Sequence, residues 1–173
     1  FHPVTTNKEG LYEASKLMVD AVLKSNENFI VILPNNDSGT EIIQNEYKRL
    51  KDNKKIKIFP SIRFEYFLRL LKESDFIIGN SSAGIREAPF YGIPTINLGD
   101  RQNNRAYGDS IFNVDFMPDE IVKTISDVKG KNFYQTKDFG DGTSDNKFLS
   151  LLEGGDFIKI KIQKNFIDFV SMN

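Results

Sequence analysis

Phe76-Ile77-Ile78-Gly79-Asn80-Ser81-Ser82-Ala83-Gly84-Ile85-Arg86-Glu87-Ala88-Pro89 is the stretch that decides the fold. A short apolar run ends at a glycine, small and hydroxyl-bearing residues follow, and a short helix is predicted near Ile85 to Phe90. An apolar run without polar alternation suits a strand buried on both faces of a parallel sheet. In open α/β sheets ligands sit outside the carboxyl ends of such strands, where backbone N–H groups and hydroxyls can approach a phosphate closely. The dipole of the following helix adds a field that favours an anion. Ser81 and Ser82 are therefore candidates for direct phosphate contact. The alternative is that Gly79 relieves a tight turn and one serine caps the helix.

The alternation of element types extends on both sides. Leu11, Ala14, Leu17, Met18, Ala21 and Val22 recur at helical spacing, predicting a helix from about Asn7 to Lys24 with Thr5, Thr6 or Asn7 as its cap. Strands are predicted over Phe29–Leu33, Ile56–Phe59 and Thr95–Leu98, and helices over about Thr40–Leu50, Phe64–Leu71 and Pro118–Val128. Strands separated by helices imply right-handed crossovers, hence a Rossmann-like α/β fold: an open parallel sheet with helices on both faces. The polar loop Asp100-Arg101-Gln102-Asn103-Asn104-Arg105 is too rich in donors to be buried without a ligand or solvent. Gly140-Asp141-Gly142 leads into a helix from about Ser144 to Leu152, capped by Thr143 or Ser144. Ile158, Ile160 and Ile162 alternate with polar residues and read as an extended tail. The division expected is one domain over 1–153 and a tail over 154–173.

Composition narrows the function. A net charge of -1, from 23 basic and 24 acidic residues, does not suit a surface built to neutralise a polyanion, so nucleic acid is not expected as a partner. No apolar run approaches the roughly 20 residues that cross a bilayer, so no membrane partner is expected. Without cysteine there is neither a disulfide framework nor a thiolate metal site, and the cytoplasm is the expected compartment. No metal and no cofactor are expected: a P-loop, the Gly-x-Gly-x-x-Gly fingerprint and an acidic metal constellation are all missing. The chain opens on Phe1-His2-Pro3 without an initiator methionine and reads as a fragment.

Polar residues recur at the predicted strand ends. His2, the single histidine, precedes Pro3 at the end of a presumed strand and is either a structural side chain or a phosphate or sugar contact. Asn35 follows the strand ending at Leu33, and the turn Ser61-Ile62-Arg63 follows the next. Glu87 either accepts hydrogen bonds from a ribose diol or is a solvated charge. Arg101 either clamps a diphosphate through paired hydrogen bonds or is a surface arginine paired with Asp100.

Five segments occur in an order and spacing that resemble the hydrolysing UDP-N-acetylglucosamine 2-epimerases of sialic and legionaminic acid biosynthesis. They are His2-Pro3-Val4-Thr5-Thr6, Leu33-Pro34-Asn35-Asn36-Asp37-Ser38-Gly39, Gly79-Asn80-Ser81-Ser82 with Glu87, Ile96-Asn97-Leu98-Gly99-Asp100-Arg101-Gln102, and Gly140-Asp141-Gly142. The resemblance implies the C-terminal half of a GT-B fold, two Rossmann-like domains closing over a sugar nucleotide, with the N-terminal domain as a missing partner. It also implies a homo-oligomer, dimer or tetramer, in the full-length protein. By the same resemblance His2 contacts phosphate or the glycosyl region, Asn35 lines the site, Ser81 and Ser82 bind the diphosphate, and Glu87 holds the ribose. Ile62 and Arg63 meet the base through their backbone, and Arg101 takes the phosphate and leaving group, which puts His2 and Arg101 closest to catalysis. The implied reaction converts a UDP-sugar, through elimination to a glycal and hydration, into the free 2-epimer and UDP. The alternative is the donor-nucleotide domain of a GT-B glycosyltransferase; a nucleotide-sensing module without catalysis is a third reading.

Overall fold

The computed structural model describes residues 1–4, 10–106 and 108–159, and the chain divides into two compact units, Phe1–Asp138 and Phe139–Asn173. In the first, α1 (Leu11–Ser25) leads to β1 (Phe29–Ile32), and α2 (Thr40–Tyr47), extended by a 3-10 turn, leads to β2 (Ile56–Phe59). Next come α3 (Phe64–Lys72), β3 (Ile77–Gly79), α4 (Ala83–Arg86), a 3-10 turn at Pro89–Tyr91, β4 (Thr95–Leu98), β5 (Ile111–Val114) and α5 (Pro118–Val128). The second unit holds α6 (Ser144–Glu153) and a 3-10 turn at Asp156–Lys159. Among the described residues no helix is long and apolar enough to cross a membrane.

Every strand pairing among the described residues is parallel, as the alternation of strands and helices requires. β1 pairs with β2, Phe29 opposite Ile56, while β4 lies between β3 and β5 with Ile78, Ile96 and Phe112 in register. Among the described residues no ladder joins β1 to β3. Helices cover both faces, and the alternation of side chains along β3 shows how: Ile78 packs into a core with α1, α2 and α5, while Ile77 packs with Leu71 of α3 and with Ala88 and Ile93. β4 is buried at all four positions. In α5, Pro118 opens the helix with its fixed φ, Asp119 and Glu120 complement the dipole, and Ile121, Ile125 and Val128 form the buried stripe.

The structure departs from local expectation at the helix after β3, at β5, at the start of the tail and at the cap of α6. The cap expected at Thr5, Thr6 or Asn7 falls outside the described residues; α1 is described from Leu11, with Gly10 before it. The helix expected near Ile85–Phe90 is one α-helical turn followed by a 3-10 turn, because Pro89 has no N–H to continue the ladder. β5 was not foreseen. The expected tail begins with a 3-10 turn that includes Ile158, so its first residues are not extended, and 160–173 lie outside the described residues. Thr143 sits at the cap position of α6, yet its hydroxyl donates to Asp141 instead of serving the helix.

Candidate functional site at the strand ends

Gly79 ends β3 with φ +139, a conformation that side-chain-bearing residues rarely adopt, and a Cβ there would lie 3.6 Å from the Phe1 nitrogen. The opening residues thus run against the end of β3. Asn80, only 1% exposed, ties them there: its Oδ1 accepts from the His2 N–H at 2.7 Å and its Nδ2 donates to the His2 carbonyl at 2.9 Å. One carboxamide satisfies both main-chain groups of one residue, as a neighbouring strand would. Ser81 then turns the chain into α4, its Oγ accepting from the Ala83 N–H at 3.3 Å. Ser82 occupies the cap position without a side-chain cap bond, so the capping reading applies to neither serine in its simple form.

The loop after β4 closes onto the same residue from the other side. Gly99 turns it with φ +70, and Arg101 Nη1 and Gln102 Nε2 each donate to the Asn80 carbonyl at 2.8 Å. No Arg101–Asp100 ion pair appears among the described residues, so the surface-pair alternative gives way to a guanidinium held against the β3 turn. Gln102 is 2% exposed, contrary to the expectation that this loop's donors need ligand or solvent; the Asn80 carbonyl serves it, and Arg105 Nη1 approaches its Oε1 at 3.5 Å.

Electrostatics follow from this crowding. Burial, more than any other cause, lowers the His2 pKa to about 4, with the positive charge of Arg101 adding to the shift and Asp37 opposing it. His2 is therefore a neutral imidazole at pH 7, and its Nδ1 is buried with no hydrogen-bond partner among the described residues. The loop between β1 and α2 also comes close to the opening residues. That loop is packed down at Gly39, φ +96, where a Cβ would meet Leu11 at 2.7 Å and Pro3 at 3.7 Å.

The structure gathers His2, Ser81 and Arg101 around Asn80, with Ser82 next in the chain. Of the other predicted residues, Asn35, Ile62 and Arg63 follow the ends of their strands and Glu87 follows α4, without a hydrogen bond or ion pair to that cluster among the described residues. Asn35 is exposed, its carbonyl accepting from the Thr40 hydroxyl. Ile62 is half-buried; Arg63 is exposed, pairs with Glu65 at 3.1 Å and lies over the Tyr66 ring at 5.9 Å. Glu87 is half-buried just after α4. In the second unit, the Asp141 carboxylate accepts from the Thr143 N–H and hydroxyl and from Lys147, which hold its pKa well below the usual carboxylate range. Sequence reasoning missed Asn80, Gln102 and Asp37 as individual residues. A polar side chain directly after an apolar run and a glycine was the available signal for Asn80; Gln102 carried none.

Residues 1–153 match the family described as UDP-N-acetylglucosamine 2-epimerase. The chain is 42% identical over 172 residues, 97% of its length and 45% of the relative's, to the UDP-N-acetylglucosamine 2-epimerase of Neisseria meningitidis serogroup B. It is 28% identical over 154 residues, 88% of its length and 41% of the relative's, to the UDP-N,N'-diacetylbacillosamine 2-epimerase (hydrolyzing) of Legionella pneumophila. Its fold matches the Methanocaldococcus jannaschii UDP-GlcNAc 2-epimerase crystallised with UDP-GlcNAc and UDP, with a TM-score of 0.67 at 23% identity, covering 83% of this chain and 41% of that one. The Rossmann-like α/β architecture, one half of a GT-B fold, is thereby shared. The chain spans about half the length of the relatives it matches.

Proposed function

Because the chain belongs to the UDP-N-acetylglucosamine 2-epimerase family, we propose that it supplies the nucleotide-holding half of a hydrolysing 2-epimerase. The reaction is UDP-N-acetylglucosamine plus water to N-acetylmannosamine plus UDP, by loss of the C2 proton with expulsion of UDP to a glycal, then hydration on the opposite face. The hydrolysing reading draws on the Legionella relative, which is named as a hydrolysing 2-epimerase. One observation carries the assignment: Arg101 is fixed on the carbonyl immediately before Ser81-Ser82, so a cation and two hydroxyls border the same strand end.

As UDP leaves, negative charge grows on its diphosphate, and donors already in place stabilise that charge more than the ground state. Ser81, Ser82 and Arg101 take this role. His2, neutral at pH 7, serves as a hydrogen-bonding group to the phosphate or glycosyl region and not as a second cation. Asn35 lines the site, Glu87 holds the ribose hydroxyls, and the Ile62–Arg63 turn meets the base through its backbone. The general acid and base belong to the half this chain does not supply.

The test follows UDP-N-acetylglucosamine incubated in D2O with the full-length protein by NMR. Expected are UDP and free N-acetylmannosamine deuterated at C2, formed without any acceptor, and a loss of about 10²–10³-fold in kcat for Arg101→Ala. Turnover only when an acceptor sugar is added would replace this reading with a glycosyltransferase. With the present chain alone, UDP is expected to slow amide exchange across Gly79–Gly84, and protection confined elsewhere would displace the site.

A further inference from the structure

Gln102 is buried although it sits in a loop of polar residues between β4 and β5. Backbone bonds from the Asn103 N–H to the Asp100 carbonyl at 2.9 Å and from the Arg105 N–H to the Gln102 carbonyl at 3.3 Å wind that loop into two overlapping turns. A carboxamide taken out of water costs free energy unless its ends find partners, whereas a methionine of similar length fills the same space without that cost. Both ends of Gln102 are served: Nε2 donates to the Asn80 carbonyl at 2.8 Å, and Oε1 faces Arg105 Nη1 at 3.5 Å.

The acceptor gives this bond its meaning. A carbonyl oxygen has two lone pairs, and that of Asn80 meets two donors at the same 2.8 Å, Gln102 Nε2 and Arg101 Nη1. With one lone pair taken by the amide, the guanidinium is confined to the other. The carbonyl also belongs to the planar peptide that joins Asn80 to Ser81, so its orientation sets the direction of the Ser81 N–H. Gln102 has no hydrogen bond to Ser81 or Ser82 among the described residues, yet it bears on Arg101 and on the serine turn through one oxygen. Its neutrality matters: a carboxylate in its place would attract Arg101 and compete with phosphate for it.

We propose that Gln102 is a positioning residue for diphosphate binding, holding the Asn80–Ser81 peptide and keeping Arg101 on a single lone pair so that its other N–H groups are left for the anion. This rests on the reading that Arg101 and the two serines hold the diphosphate. Without Gln102, the vacated lone pair is open to a second N–H of the same guanidinium fork, which then turns into the carbonyl and away from phosphate.

The test is a double-mutant cycle on UDP binding, measured calorimetrically with the chain. Arg101→Ala is expected to weaken UDP by about tenfold or more. Gln102→Met should weaken it by about fivefold to tenfold while leaving Tm within about 3 °C, and should add less than about twofold once Arg101 is already alanine. In the full-length protein the same substitution should lower kcat more than it raises KM, because Arg101 meets charge that grows as UDP leaves. Gln102→Glu supplies a pH signature. The ionised carboxylate repels the carbonyl and draws Arg101, whereas the protonated carboxyl donates as the amide does, so UDP affinity relative to the parent should recover as pH falls from 8 towards 5. Parent-like affinity for Gln102→Met beside an impaired Arg101→Ala overturns the positioning role and leaves the diphosphate reading standing. An equal loss in both backgrounds overturns it as well, since Gln102 would then act on the fold and not through Arg101. Unimpaired binding by Arg101→Ala removes the diphosphate reading and the proposal with it. If Gln102→Met does not fold, the pH series decides: no recovery at low pH overturns the proposal.

Discussion

Replacing Asn80 with alanine removes two hydrogen bonds at once, both to the main chain of a residue 78 positions away in sequence. Each bond contributes about 1 kcal/mol net, and stranding a buried donor or acceptor costs a further 1–3 kcal/mol where water cannot reach it. His2 is half-buried, so water recovers part of that second cost, and the sum is about 2–4 kcal/mol. At about 3 kcal/mol a chain of this size loses roughly 6–12 °C in Tm. The assay is urea unfolding followed by far-UV circular dichroism, with calorimetry alongside. His2→Ala is the control: the bonds run to main-chain atoms, so it should leave them intact and cost much less. A loss below about 0.5 kcal/mol for Asn80→Ala, or one matched by His2→Ala, would refute the view that this carboxamide clamps the opening residues to β3.

Gly84→Ala sets a Cβ 2.6 Å from Cγ2 of Thr95, a residue that also donates to the Gly84 carbonyl, so a loss of about 1–3 kcal/mol is expected; Thr95→Ser, which keeps the hydroxyl and removes the methyl, should restore most of it in urea melts. For His2 the folded pKa of about 4 lies below the unfolded 6.5, so between these values the unfolded chain binds more protons. Stability is then full above pH 6.5 and falls as pH drops towards 4, by on the order of 1–2 kcal/mol once screening by water is allowed for. His2→Gln should flatten that part of the stability–pH curve, and an unchanged slope would show that His2 does not cause it.

How much of this was legible beforehand depends on whether chemistry was local. The turn from Ile77 through Ser82 could be read because a strand, a glycine and small polar residues are each signalled by their own neighbours. β5 could not. Its Asn113 interrupts the apolar run, and the reason it sits there is a partner 16 residues earlier, Asn97, which stands opposite it in register and donates to it at 2.7 Å. The pairing of Asn80 with His2 and with Gln102 is invisible for the same reason: a carboxamide reads the same whether it faces water or a distant main chain. Arg101 was placed at the right strand end, but what holds it there is a carbonyl, which no sequence pattern marks.

The double grip on the Asn80 carbonyl has a thermodynamic consequence for whatever anion Arg101 meets. A free arginine side chain carries about 2 kcal/mol of rotamer entropy, normally surrendered when it closes on a ligand. Here one of its five N–H groups is already engaged within the fold, so much of that disorder is gone before any encounter. A phosphate arriving at this strand end finds the guanidinium waiting in position, and association loses correspondingly less freedom.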